Sequence, residues 1–298
     1  MQEPRSNFNL FKYSIFISFA WLLPCFLEGL TLQDAEKFGE LPPSFLLKTP
    51  SYQRSPKVPK EIWESLVPYF LPEDHPIKGH LDEIFSQARV ILSIPSMEKA
   101  EFLHPKPRKW THLIVTKHPD IPGYIFKVYL DAQRYHKKKP EYVHWLERIQ
   151  GASKIQNEID RRHWQHLFKV PKKWIYPLPL HPSPPKEFIR KDFILVEEDM
   201  NIYDEGENYQ KWKSSWITVE KLEALYTLLE KLGLHDCPKP DNIPFSKDGK
   251  IAFVDTQTLN KWPVLYHKLT PYLSPSLKFY WKNLLRSAPR KKKANLSS

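Results

Sequence analysis

The sequence predicts an α+β fold, and three observations predict it. Short apolar stretches rich in β-favouring residues recur at 110–116 (WTHLIVT), at 124–130 (YIFKVYL) and at 188–197, the last with a FILVEE core. Apolar residues recur at helical spacing over 153–168 and 218–232. Hydrophobic residues make up 41% of the 298-residue chain and aromatic residues 14%, enough for a packed core. The 29 prolines exceed the usual ~5%, and the 8 glycines fall below the usual ~7%. Extended connections and few tight glycine turns are therefore expected.

The chain opens with a nearly unbroken apolar run, 13–27, preceded by Arg5 and Lys12. It is shorter than the ~20 residues of a membrane-spanning helix and suits a signal-peptide core. Residues 1–30 are thus expected to be a signal peptide or membrane anchor, which makes the chain exported or membrane-associated; a buried helix is the alternative. Residues 31–77 read as a proline-rich linker with one short helix at 61–67, because proline restricts both itself and its predecessor. The folded domain is expected over 78–285, and the basic residues of 286–298 form a tail expected to be disordered.

Within the domain, Pro119, Pro122 and Gly123 mark a turn between the strands at 110–116 and 124–130. Lys127 interrupts the second strand as a single charge among apolar residues. Ser153 and Gln156 stand at capping-box spacing, and Ile155 and Ile159 share a face, so a helix is expected over 153–168 with Glu158 inside it. Leu222, Leu225, Leu229 and Leu232 give the helix at 218–232 its apolar face, and Gly233 is placed to stop it. A final helix is expected near 274–286.

Between the last two helices lies GLHDCPKPDNIPFSKDGKIAFVDTQ, residues 233–257. A polar, proline-stiffened turn leads to Asp248-Gly249, a hairpin signal, and then to an apolar run ending on Asp255. Asn242 and Asp255, both oxygen ligands, stand at the two ends of this strand pair. An ordinary solvated hairpin is the plain alternative.

This stretch resembles the protein-kinase-like superfamily, including its aminoglycoside-phosphotransferase-like branch, in which a catalytic loop H-R-D-x-x-x-x-N precedes a metal-holding aspartate. Lys239-Pro240-Asp241-Asn242 matches the end of that loop, and Asp255 follows at a spacing like the family's. The resemblance implies a reduced two-lobed kinase-like fold, with a small antiparallel sheet lobe and a shortened helical lobe. It implies ATP with Mg or Mn as cofactors, Asn242 and Asp255 as metal ligands, and Lys239 steadying the transferred phosphate. Lys127 would be the strand lysine on the phosphates, Glu158 the helix glutamate that orients it, and 196–200 the hinge that meets adenine. The alternatives are an edge-strand lysine and a solvated helix pair, respectively.

Three departures weaken catalysis in this reading. The slot of the catalytic aspartate falls on Cys237, so either Asp236 is the base through a one-residue insertion or a thiol fills the slot. No glycine-rich phosphate loop precedes Lys127, and no activation-loop signature follows Asp255.

The formal net charge of +11 favours anionic partners. A nucleotide, a protein partner and an anionic membrane surface met by the basic tail are the candidates; nucleic acid is not expected. Cys25 and Cys237 are too few for a structural zinc site or a disulfide framework, and His163 with His166 lacks a third ligand. The expected function is that of a divergent, pseudokinase-type protein that binds a nucleotide and a divalent metal with weak or absent phosphotransferase activity. An active atypical kinase using Asp236 as base is one alternative, and a basic interaction protein with no nucleotide site is the other.

Overall fold

The computed structural model describes residues 51–109, 111–132 and 139–287. The fold is α+β, built on a small four-stranded antiparallel sheet. Among the described residues, three short α-helices come first, α1 (Lys60–Leu66), α2 (Lys78–Gln87) and α3 (Ile94–Lys99). Strands β1 (Ile114–Thr116) and β2 (Tyr124–Val128) follow, then the long helix α4 (Glu141–Arg161). Next come β3 (Phe168–Lys169), β4 (Lys173–Pro177) and β5 (Phe193–Glu198). The remainder is α5 (Glu205–Lys213), α6 (Val219–Leu232), β6 (Ile251–Ala252) and α7 (Pro275–Ser287).

The sheet order is β1-β2-β5-β4, with Lys127 opposite Leu195 and Lys173 opposite Glu197. Because side chains alternate faces along a strand, this register sets Lys127, Glu197 and Lys173 on one face. That face packs Ile175, Phe193 and Leu195 against Leu66 of α1 and Trp145 and Leu146 of α4. The opposite face packs Phe126, Val128, Ile194 and Val196 against Leu81 and Phe85 of α2 and Met97 of α3. Burial on both faces explains why β5 reads as an unbroken apolar run rather than an alternating one.

Packing begins earlier than the proline content suggested. Val58, Leu66 and Phe70 are buried, and Leu71 N–H donates to the Ile175 carbonyl of β4 at 2.9 Å. Residues before Lys78 therefore belong to the core, with Pro59 preceding α1 where its missing N–H removes no helical bond.

The helical elements share a second core in which Leu222, Leu225 and Leu229 of α6 meet Ile155 and Ile159 of α4 and Trp281 of α7. Thr218 caps α6 by accepting the Lys221 N–H at 3.1 Å, and Gly233, at φ 58°, closes it in the left-handed region. The expected helix at 153–168 is corrected in both directions. It starts at Glu141, runs through Gly151, and ends at Arg161, with His163 at φ 58°, while Phe168 is a strand residue. The hairpin is also smaller than expected. Gly249 makes the turn at φ 85° and Phe245 bridges Ile251, but β6 pairs in parallel with β3, Phe168 facing Ile251 and Lys169 facing Ala252.

The apolar N-terminal run and the basic residues from 288 onward lie outside the described residues. Among the described residues, no helix is long and apolar enough to cross a membrane.

Candidate functional site

Three buried charges form the centre of the site. Lys127 Nζ lies 2.8 Å from Glu197 Oε1, and Lys173 Nζ lies 2.6 Å from Glu197 Oε2. Both ammonium groups also donate to the Val254 carbonyl, at 3.0 Å and 3.2 Å. One carboxylate thus bridges two ammoniums, and one peptide oxygen takes a further donor from each, which is how charges survive burial. Burial pushes Lys127 down to about 7; Glu197 opposes the shift, whereas Lys173 and Arg148 add to it. Burial alone would raise the Glu197 carboxyl, but Lys127 and Lys173 outweigh it and hold it below its usual value.

Val254 carries the site to the next residue, Asp255. Arg148 of α4 places Nη1 2.5 Å from Asp255 Oδ1. The Asp255 side chain is 39% exposed and that of Arg148 only 8%, so the guanidinium reaches the carboxylate from the protein side. Burial would raise Asp255, yet Arg148, Lys127 and Lys173 hold it well below the usual carboxylate range.

Helix α4 is fastened to this segment along one face. Thr256 Oγ1 donates to the Arg148 carbonyl at 2.6 Å, and Gln257 Nε2 donates to Glu147 Oε2 at 2.8 Å. A Cβ on Gly151 would stand 1.8 Å from the Thr256 carbonyl oxygen, so only glycine allows the helix this close. That close approach is the reason a glycine lies inside the helix.

The loop after α6 meets the same segment through Asn242. Its carbonyl accepts the N–H groups of Val254 and Asp255 at 3.1 Å and 3.4 Å, and its Nδ2 donates to the Asp236 carbonyl at 2.8 Å. The Asp236 carboxylate is paired with Lys239 at 2.7 Å and with Lys268. Burial would raise it, but these two lysines hold it below its usual value. Lys239 in turn is raised, the pull of Asp236 outweighing burial. Cys237 is buried, and burial together with Asp255 and Asp236 pushes its thiol well above the ordinary value. It stays protonated at neutral pH, which makes it a poor nucleophile and a poor base.

Among the residues expected from sequence, the structure brings Lys127, Asn242 and Asp255 together around Val254, with Asp236 and Lys239 on the adjoining loop. Glu158 is a correction. It pairs with Arg161, Arg162 and Lys231 and makes no bond to Lys127. Because α4 starts at Glu141, its turns at His144–Gly151 face the site, and Glu158 lies about 15 Å further along the axis than Arg148 at ~1.5 Å per residue.

Three site residues were not foreseen: Glu197, Lys173 and Arg148. Lys127 is flanked by apolar residues within its strand, whereas Glu197 and Lys173 stand at strand ends beside a second like charge, Glu198 and Lys172, and so lack that signal. The Arg148 pair spans over a hundred residues of sequence and has no local signature.

Asp255 carboxylate and Asn242 amide oxygens are the hard donors that Mg or Mn takes, so the donor types fit a divalent ion, although Arg148 already holds one Asp255 oxygen. Elsewhere, the possible ligand atoms of Glu101, His118 and Asp120 lie within 4.8 Å of one another. There His118 Nε2 is 3.0 Å from the Ala100 carbonyl and Nδ1 accepts the Asp120 N–H at 3.2 Å, so both ring nitrogens are already engaged.

Compared with known families and curated proteins, the chain matches no family model and no curated sequence.

Proposed function

We propose that this chain is a divergent, two-lobed kinase-like protein that binds a nucleotide such as ATP together with Mg or Mn and transfers phosphate slowly or not at all. One observation carries the reading. The single residue Val254 receives Lys127 at its carbonyl and gives its N–H to Asn242, with Asp255 next in the chain. A strand lysine more than a hundred residues away, a loop asparagine acting through its main-chain carbonyl and a post-strand aspartate meet at one residue. In this reading the sheet with α4 forms the small lobe, and α5 to α7 with the loop form the reduced helical lobe. Lys127 meets the phosphates, and Asp255 and Asn242 hold the metal. A bound metal would supply charge neutralisation to the phosphate oxygens.

Glu197, not Glu158, orients the strand lysine, and Lys173 doubles it. Slow transfer follows from the loop. Asp236 is a weakened base because two lysines stabilise its ionised form, and Lys239 is itself committed to Asp236. The N-terminal apolar run directs the chain to a membrane or through it, and a protein or an anionic membrane is its partner there.

The test is phosphate transfer from radiolabelled ATP by the full chain with Mn, in wild type and in Asp236→Ala. The expected result is saturable ATP binding with turnover near background in both proteins. Robust turnover that Asp236→Ala abolishes would replace this reading with that of an active atypical kinase.

A further inference from the structure

We propose that Arg148 is a built-in counter-ion that competes with a divalent metal for Asp255, so that the site takes a polyphosphate anion first, without metal, and admits the metal only afterwards. The inference rests on the nucleotide-site reading and adds an order of binding to it.

Three observations lead here. The first is charge. Lys127, Lys173 and Arg148 converge on only two carboxylates, Glu197 and Asp255, among the described residues. With Lys127 protonated, a divalent cation entering alone would add positive charge to a cluster already in excess of it, whereas an anion would balance it and favour that protonated form. The second is an unmet donor. Arg148 Nε is buried and has no hydrogen-bond partner among the described residues, although buried polar groups are nearly always paired. A guanidinium that holds a carboxylate through Nη1 and has Nε to spare is shaped to take a phosphate oxygen as well.

The third is mechanical. Gly151, the Thr256–Arg148 bond and the Gln257–Glu147 bond keep α4 against residues 255–257. The helix cannot withdraw to free Asp255 without breaking all of these. The remaining route is a swing of the Arg148 side chain from Asp255 to an incoming phosphate. That swing uncovers the Asp255 oxygen, and the anion brings the negative charge that the metal needs. No bond is made or broken covalently.

The experiment uses the full chain, wild type and Arg148→Gln, with thermal melts to establish that both fold. ATP and inorganic tripolyphosphate are titrated in EDTA to separate a nucleotide from a bare polyphosphate, and Mn is titrated alone with free Mn read by electron paramagnetic resonance. Wild type is expected to bind ATP in EDTA and to bind Mn alone at least about tenfold more weakly than Arg148→Gln. The variant is expected to lose at least about tenfold in metal-free ATP affinity, and Arg148→Lys to recover part of it. Equal affinity of tripolyphosphate and ATP would assign the site to the polyphosphate chain alone and leave the order of binding intact. If wild type binds ATP only when Mn is present, or binds Mn alone as tightly as Arg148→Gln does, this inference falls while the nucleotide reading stands. If folded wild type binds neither ligand under any condition, both fall together. The wild-type arms decide the matter even if the variants do not fold.

Discussion

Replacing Glu197 with alanine is expected to destabilise the fold by roughly 3–5 kcal/mol, because it removes the only carboxylate between two buried ammonium groups. Lys127 and Lys173 would then face each other in a buried site without the carboxylate that bridges them. At the usual sensitivity of a domain of this size, the melting temperature should fall by about 6–20 °C. A Lys127→Met change introduced on top of Glu197→Ala should recover part of the loss, since it deletes one of the stranded cations. Glu158→Ala is the natural control. That carboxylate holds three cations, but Arg161 and Lys231 are well exposed, and solvent already screens them. Similar melting temperatures for Glu197→Ala and Glu158→Ala would contradict the assignment of the central charge to Glu197.

The second large effect concerns pH and follows from Lys127. Its pKa is about 7 in the folded protein against an ordinary 10.5, with burial as the chief cause. Between those two values the unfolded chain binds a proton that the folded chain does not, so this group makes stability rise with pH across the window. Below about pH 7 both states are protonated, and the group's contribution is constant at its least favourable value. The stability difference between wild type and Lys127→Met should therefore shift in favour of wild type by up to ~1.4 kcal/mol per pH unit between pH 7 and 10. Denaturant melts at pH 6, 8 and 9.5 measure it. A bound phosphate would reverse the balance by favouring the ammonium form. ATP affinity should then decline as pH rises above 7, with uptake of up to one proton per site at pH 8, seen by calorimetry in two buffers of different ionisation enthalpy. A pH-independent difference between the two proteins would mean that Lys127 keeps its proton throughout.

The sequence made legible what is local. The leucines of α6 with Thr218 and Gly233 at its ends, the apolar run of β5, and the single lysine of β2 each carry their signal within a few residues. The return of the chain from Asn242 to Asp255 was legible as well, because the Asp248-Gly249 turn requires a short excursion. What was not legible depends on partners far along the chain. The reason for a glycine at 151 is the Thr256 carbonyl, more than a hundred residues away, so it has no local signature. Without α4 beginning at Glu141, the helix offered Glu158 to Lys127 and concealed Arg148. Glu197 drew no role from the sequence because only the register of β5 against β2 and β4 turns it toward both lysines. The parallel pairing of β6 with β3 is of the same kind, since two-residue strands have no sequence period to announce a partner.

The most direct measurement of the central claim is equilibrium binding of ATP to the full chain at pH 7 in the presence of Mn, comparing wild type with Lys127→Met. This variant keeps the Lys173–Glu197 pair and the Arg148–Asp255 pair, so its fold should persist, which a thermal melt establishes. If Lys127 meets the phosphates, wild type binds saturably and Lys127→Met binds about 10- to 100-fold more weakly, the usual worth of one or two charge-assisted hydrogen bonds. Equal affinity of the two folded proteins, or no ATP binding by folded wild type, would contradict a nucleotide site at Val254 and leave the three buried charges as a structural feature of the sheet.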